Sequence, residues 1–415
     1  MCKLYKLTIS TIIIYSVGIL IFTGCNRSQV LTGLDILENN HFEPLKGKRV
    51  GIICNHSSLN HKGTHIVDLI AGSGCCKVKA IFAPEHGFRG DISAGKAVED
   101  SIDTRTRVRI YSLYGRIKKP TTDMLDSIDI LIYDVQDVGA RFYTYISTLK
   151  YAMESACENG IDFMVLDRPN PIRGDIIQGP ILERGFESFV GSLNIPIRYG
   201  LTPGEIALYI NRYHLDGKLN LTVVPMKGWK RNMWYDQTGL KFVKPSPNIP
   251  DIETATLYPG FCLFEGTNIS EGRGTLSPFK IIGAPWINGD TLLISLSKKT
   301  IRGVAFQSVK FTPMSIEGMA EHPKYLGKTC GGIKIAVTDR EAFDPIKSAI
   351  ILLKEIRILY PNRFMWKENW IDKLYGSGEL REAIDSGKPL SVLFDSWEKE
   401  IKEYRKKIKS CLLYK

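Results

Sequence analysis

The sequence predicts an α/β protein, a mostly parallel sheet covered by helices on both faces and followed by a smaller α+β domain. From residue 49 onward, short apolar runs alternate with amphipathic stretches, the order expected of βα units. Two of those runs, Ile130-Leu131-Ile132-Tyr133 and Phe163-Met164-Val165-Leu166, are apolar without interruption. Continuous runs of that kind suit strands buried on both sides, as in parallel sheets. Beyond residue 285 the pattern changes to longer extended segments and long helices. The 415 residues are enough for two domains with substantial cores.

In order along the chain, strands are expected at 49–54, 77–83, 108–112, 130–135 and 162–166. Helices are expected at 65–71, 121–127 and 144–158, the last stopped by Asn159-Gly160. Thr202-Pro203-Gly204-Glu205 combines a Thr N-cap, Pro at the first helical position and Glu at the third. That is a capping box, which gives Glu205 a structural task at the start of a helix over 206–213. A strand at 220–224 follows, then a loop-rich stretch over 226–285 dense in Pro, Gly, Trp and Asn. The second domain reads as a helix at 291–298, extended segments at 304–312 and 332–338, a long helix at 345–360 and a closing helix at 397–409. The expected division is 1–24 as a signal segment, 30–284 as the larger domain and 285–415 as the smaller one.

Lys3 and Lys6 precede an apolar stretch over 7–22 that is short for a membrane span and ends in small residues. Phe22-Thr23-Gly24-Cys25 resembles a bacterial lipobox, with cleavage before Cys25 and lipid on its sulfur. The expected location is therefore the cell envelope, lipid-anchored to a membrane and facing the periplasm or the exterior. Of nine cysteines, Cys2 and Cys25 are set aside, and the odd remainder cannot all pair within one chain. The net charge of +11 is spread along the chain, and no nucleic-acid-binding motif accompanies it. Neither G-x-G-x-x-G nor G-x-S-x-G is present, which argues against a dinucleotide site and a serine nucleophile elbow.

Polar residues gather just past four expected strands: Asn55-His56, Glu85-His86, Asp134 to Asp137, and Asp167-Arg168. A parallel sheet places all four strand ends on one edge, where ligands of open α/β sheets bind. Glu85 leaves an apolar strand through Pro84 and is the first candidate for a general acid or base. The strand-to-helix segment that begins at Tyr133 adds Asp134, Asp137, Arg141 and Tyr143. A second polar cluster, rich in glycine, supplies Glu265, Asn268, Glu271 and Arg273, hydrogen-bonding groups suited to a sugar. Trp229, Trp234 and Trp286 flank that cluster as candidate stacking surfaces for a pyranose face.

The stretches 82–90, 134–145, 166–171, 195–207, 245–250, 258–279 and 331–340 together resemble the bacterial exo-β-N-acetylmuramidases, glycoside hydrolase family 171. The resemblance implies a Rossmann-like domain with a smaller C-terminal domain and a cleft between them. It implies release of N-acetylmuramic acid from the non-reducing end of peptidoglycan fragments, with no metal and no nucleotide cofactor. Such hydrolysis needs one protonated carboxyl and usually a second carboxylate. Glu85 is the acid candidate, tuned by His86 or a nearby Arg. Asp134, Asp137, Glu265 or Glu271 is the second group, unless the substrate's acetamido group takes that role. Arg141, Arg168 and Arg273 are the candidates for the lactyl carboxylate, and Asn55, Tyr143, Asp167, Glu265 and Asn268 complete the expected binding set. Two other readings compete: a non-catalytic muropeptide-binding lipoprotein, and a metal-dependent hydrolase built on His86, Asp134 and Asp137.

Overall fold

The computed structural model describes residues 29–88 and 101–415. The expected signal segment, Cys25 as the expected lipidation site, and the last two residues of the 82–90 stretch lie outside the described residues.

A seven-stranded sheet forms the larger domain. Its strands are β1 (Arg49–Cys54), β2 (Lys77–Ala83), β3 (Ser101–Ile102), β4 (Arg109–Ser112), β5 (Ile130–Asp134) and β6 (Asp162–Leu166). After the antiparallel pair β7 (Gln178–Ile181) and β8 (Pro196–Arg198), strand β9 (Leu221–Val224) completes it. The order is β3-β4-β2-β1-β5-β6-β9, parallel throughout except for the two-residue β3 at the edge. From β1 the chain builds outward through β2 to β4, then returns to β5 on the other flank of β1 and continues to β6 and β9. The direction of winding therefore reverses between β1 and β5, the place where crevices open in doubly wound sheets. Helices α1 (Gly33–Asn39), α2 (Ile66–Ser73), α3 (Tyr145–Glu158) and α4 (Pro203–His214) join and cover the strands. The Thr202–Glu205 capping box is present, and Arg231 pairs with Glu205 at 2.6 Å, which confirms its structural task.

The smaller unit holds the antiparallel sheet β10 (Ile281–Ala284), β12 (Cys330–Val337) and β11 (Val304–Phe311), with β12 in the middle. Around it lie α5 (Ile252–Phe261), α6 (Gly289–Leu296), α7 (Pro345–Leu359), α8 (Glu368–Tyr375), α9 (Glu379–Asp385) and α10 (Leu390–Ile408). One hydrophobic cluster runs without a break from Phe82 and Leu131 in the large sheet to Ile333 and Ile350 in the small unit. At Gly260 a Cβ would lie 1.9 Å from the Pro345 carbonyl oxygen, so glycine is what lets α5 meet the start of α7. The chain end returns to the larger domain, where the Tyr414 hydroxyl donates to Asp167 Oδ2 at 2.5 Å. All seven cysteines among the described residues are free thiols.

Several expectations change. The helix expected at 121–127 is a single 3-10 turn, Asp123–Leu125. The stretch expected to be loop at 226–285 contains α5, which is buried on nearly every side and so shows no amphipathic period, and which carries Pro259 inside it. Helix α10 begins at Leu390 rather than near Trp397. A boundary at 284/285 would cut β10 from β12, its ladder partner, so β10 belongs with the smaller sheet. Helices α1 and α9 and the β7–β8 pair are too short to give a strong periodic signal.

Candidate active site

A cavity of about 340 Å3 opens where the carboxyl ends of β2 and β4 meet the helices of the smaller unit. Glu85 and His86 line it from the turn after β2, and Tyr114 from the segment after β4. Phe142, Tyr143 and Thr144 line it from the approach to α3. Glu265, Arg273 and Phe279 come from the glycine-rich cluster, and Trp370 and Leu374 from α8.

The Glu85 turn is closed by the Gly87 amide donating to the Pro84 carbonyl at 3.0 Å. His86 sits in it at φ 72°, a left-handed conformation that a side chain other than Gly, Asn or Asp adopts at a cost. The turn thus holds Glu85 and a buried imidazole in one strained arrangement. Thr144 Oγ1 donates to Glu85 Oε2 at 2.7 Å and fixes the carboxyl against the start of α3. Beneath it the Tyr145 hydroxyl lies 3.3 Å from the Glu85 carbonyl oxygen and 2.8 Å from that of Pro245. Asn55 Nδ2 donates to the same hydroxyl at 2.9 Å, so Asn55 supports the floor of the site rather than facing a ligand. Burial first, then the charge and hydrogen bond of Glu85, push the Tyr114 phenol above its ordinary range.

Across the cavity Arg273 donates to Glu265 Oε1 through Nη2 at 2.7 Å and Nε at 3.2 Å. Its guanidinium lies 5.2 Å from the Phe279 ring centre. Behind it Glu271 is buried, 2.9 Å from Lys324 Nζ and 3.6 Å from Arg273 Nε. Burial alone would raise the Glu271 carboxyl, but Lys324 and Arg273 outweigh it and hold the group below its usual value. Glu271 therefore anchors Arg273 from behind and does not line the cavity, which corrects the expectation of a catalytic group there.

Other expected site residues are placed elsewhere. Arg141 is fully buried and donates to the carbonyls of Pro180, Ile195, Leu374 and Tyr375, far from any role on a ligand carboxylate. Asp134 is locked to Arg168 through Nε and, at 2.8 Å, Nη2. Asp137 accepts from the Tyr199 hydroxyl and, at 2.8 Å, from the Gly139 amide, while burial pushes it up to about 6. Asp167 accepts from Thr202, Gly204, Arg168 and Tyr414 and organises the docking of α4 and the chain end. Asn268 clamps the backbone of Arg363 and Met365. In each case a buried polar group is engaged by local backbone or a neighbouring side chain, although Asp137 Oδ1 and Arg141 Nε accept or donate no hydrogen bond among the described residues, and strand-end position alone does not reveal this. His86, Asp134 and Asp137 do not converge, and among the described residues no three His, Cys, Asp or Glu side chains gather as a metal site would require.

Thr144, Tyr114 and Trp370 join the cavity without being among the residues the sequence points to as a site. Thr144 lies inside the polar strand-to-helix segment and is signalled there. Tyr114 follows the edge-side strand β4, and Trp370 sits on a short helix, so neither carries a motif. Trp229 and Trp234 are buried in the core, and Trp286 packs beside Tyr360.

Models of two families match the chain in succession: "Exo-beta-N-acetylmuramidase NamZ, N-terminal" over residues 50–253 and its C-terminal counterpart over 256–414. Their junction falls well before the expected 284/285 boundary and agrees with the assignment of β10 to the second unit. The chain is 46% identical over 390 residues to the peptidoglycan beta-N-acetylmuramidase NamZ of Bacillus subtilis (strain 168), covering 94% of this chain and 92% of that one. Among solved structures it is similar to a DUF1343 family protein of Bacteroides fragilis NCTC 9343, with TM-score 0.85 and 35% identity over 93% of this chain and 99% of that one. A second DUF1343 protein of the same strain matches at TM-score 0.77 and 33% identity, over 94% of this chain and 99% of the other.

Proposed function

Because this chain belongs to the exo-β-N-acetylmuramidase NamZ family, we propose that the Glu85 cavity is where its glycosidic bond is cut. The protein is a glycoside hydrolase of the exo-acting muramidase type, releasing N-acetylmuramic acid from the non-reducing end of peptidoglycan fragments. The observation that carries the site assignment is the pairing, in one cavity, of a carboxyl fixed at a strand end with an arginine on the opposite wall.

Glu85 gives its proton to the glycosidic oxygen as the bond to the anomeric carbon breaks. Thr144 holds one carboxyl oxygen during that transfer, and the strained His86 turn keeps the group from swinging away. Glu265 is the one other carboxylate of the expected set that lines the cavity, and it takes the second position, facing the anomeric centre or orienting the substrate's acetamido group. Arg273, braced by Glu265 and Glu271, meets the lactyl carboxylate. The test is a chromogenic β-N-acetylmuraminide beside the matching β-N-acetylglucosaminide, which lacks the lactyl group. Turnover confined to the first is expected, and Arg273→Lys is expected to erode the preference by about tenfold. Equal turnover of both sugars by the wild type would remove Arg273 from this role.

Trp370 lines the cavity wall on α8 and is 37% exposed, an aromatic surface placed for the apolar face of a pyranose. Trp370→Ala is expected to raise KM about tenfold with kcat little changed, and Trp370→Phe to recover most of the loss. A fall in kcat with KM unchanged would contradict the stacking role.

The chain is held at a membrane of the cell envelope by lipid on Cys25, a reading supported by Phe22-Thr23-Gly24-Cys25 after an apolar stretch. Cys25→Ala is expected to move the protein from the membrane fraction to the soluble fraction of lysed cells. Retention of the variant in membranes would argue for an uncleaved anchor helix instead.

A further inference from the structure

A second cavity, of about 180 Å3, lies on the same edge of the large sheet but at its other side. Ser57 lines it from the loop after β1, Gln136 from that after β5 and Arg168 from that after β6. It therefore sits at the reversal of winding between β1 and β5, where doubly wound sheets bind ligands and where the hydrolytic site is not.

Its chemistry differs from that of the Glu85 cavity. Arg168, Lys62, Lys241 and His61 line it, and among the described residues no carboxylate does. Arg168 is 4% exposed, with Nε and Nη2 committed to Asp134 and Nη2 also to the Leu59 carbonyl at 3.0 Å. Nη1 has no protein acceptor among the described residues. His61 gives Nδ1 to Asp35 Oδ1 at 2.7 Å, so the ring is oriented from its other side. Lys62 stands 3.9 Å from Glu38, a contact too long to neutralise it in place.

Gln136 supplies an independent observation. It is 3% exposed, and its Nε2 donates to the carbonyls of Asp137 at 2.9 Å and Pro169 at 2.8 Å. Its Oε1 is buried and accepts no hydrogen bond among the described residues. A buried acceptor left unmade is costly, and a donor brought by a ligand relieves that cost.

We propose that this cavity is a second binding site for a small ligand carrying a carboxylate or phosphate together with a hydroxyl or amide N–H. The anion meets Arg168, Lys62 and Lys241, and the donor meets Gln136. Two sources supply that chemistry. One is a free small anion. The other, which rests on the hydrolase reading, is a carboxylate on a peptide attached to the sugar's lactyl group. Lys241 and Val243 line this cavity and Ser246 and Asn248 line the other, so the segment from Val243 to Ser246 spans at most roughly 10 Å, within reach of a short peptide.

The test uses the full chain and the Lys62→Glu/Lys241→Glu variant, whose substituted side chains are exposed and leave the core untouched. Calorimetric titration with inorganic phosphate and, separately, with acetate at low ionic strength is expected to show saturable binding, weakened at least about tenfold in the variant. Both proteins are expected to hydrolyse a simple chromogenic β-N-acetylmuraminide alike. Absence of saturable binding, or binding that the variant leaves unchanged, overturns the proposal whether or not the chain hydrolyses sugars. With binding present, a KM for a peptide-bearing substrate that rises only in the variant assigns the site to the peptide carboxylate. A KM unaffected by the variant assigns it to a free anion.

Discussion

Glu85→Gln is expected to lower kcat on a natural N-acetylmuramyl disaccharide by about a hundred- to ten-thousand-fold, the usual contribution of a positioned general acid. The amide keeps the shape of the carboxyl and the contact with Thr144 but has no proton to give the glycosidic oxygen. A sugar alkoxide is a poor leaving group without that proton. Nitrophenolate is a good one and leaves with much less help. The deficit should therefore shrink markedly on a nitrophenyl β-N-acetylmuraminide, while KM stays near the wild-type value. An equal deficit on both substrates would show that Glu85 acts on the anomeric carbon or on folding. Undiminished kcat on the disaccharide would remove it from the chemistry.

The second large effect concerns stability. Arg141→Met is expected to cost about 4 kcal/mol or more, enough to leave little folded protein at moderate temperature. The guanidinium satisfies four carbonyls, those of Pro180 and Ile195 in the larger domain and of Leu374 and Tyr375 on α8. Methionine fills part of the volume but leaves those oxygens buried without donors. A Cβ at Gly376 would lie 2.7 Å from Arg141 Nη2, and that residue has φ 102°, so the chain is shaped around the guanidinium. Thermal unfolding followed by circular dichroism measures the loss. The protein that does fold should keep its KM for a muraminide. A variant of wild-type stability with a raised KM would return Arg141 to the substrate.

These two residues show where sequence reading succeeds and where it stops. Glu85 was legible because a strand ending in Pro, Glu, His and Gly projects its carboxyl from the sheet edge. Arg141 lies in an equally polar segment only two residues before Tyr143, which does line the cavity. Nothing local distinguishes an arginine that faces a ligand from one that turns inward to carbonyls more than two hundred residues away. The same holds for Asp134, Asp137 and Asp167, all at strand ends and all consumed by neighbours. Arg273 faces the cavity because Glu265 and Glu271 brace it there. Trp370 reaches it because α8 packs over the site.

The sequence by itself determined the alternation of strand and helix, the parallel sheet, the shared edge of strand ends, and the family to which the chain belongs. Period and apolar continuity are local properties, and motifs carry family membership without coordinates. The tertiary structure alone decided which polar groups face a cavity and which are buried partners. It also decided that α5 and β10 belong with the smaller unit, and that among the described residues one cavity on the sheet edge mixes carboxylates with an arginine while another is lined by cationic side chains. Those outcomes depend on which donor meets which acceptor after distant segments pack, and burial makes every such group either find a partner or lose stability.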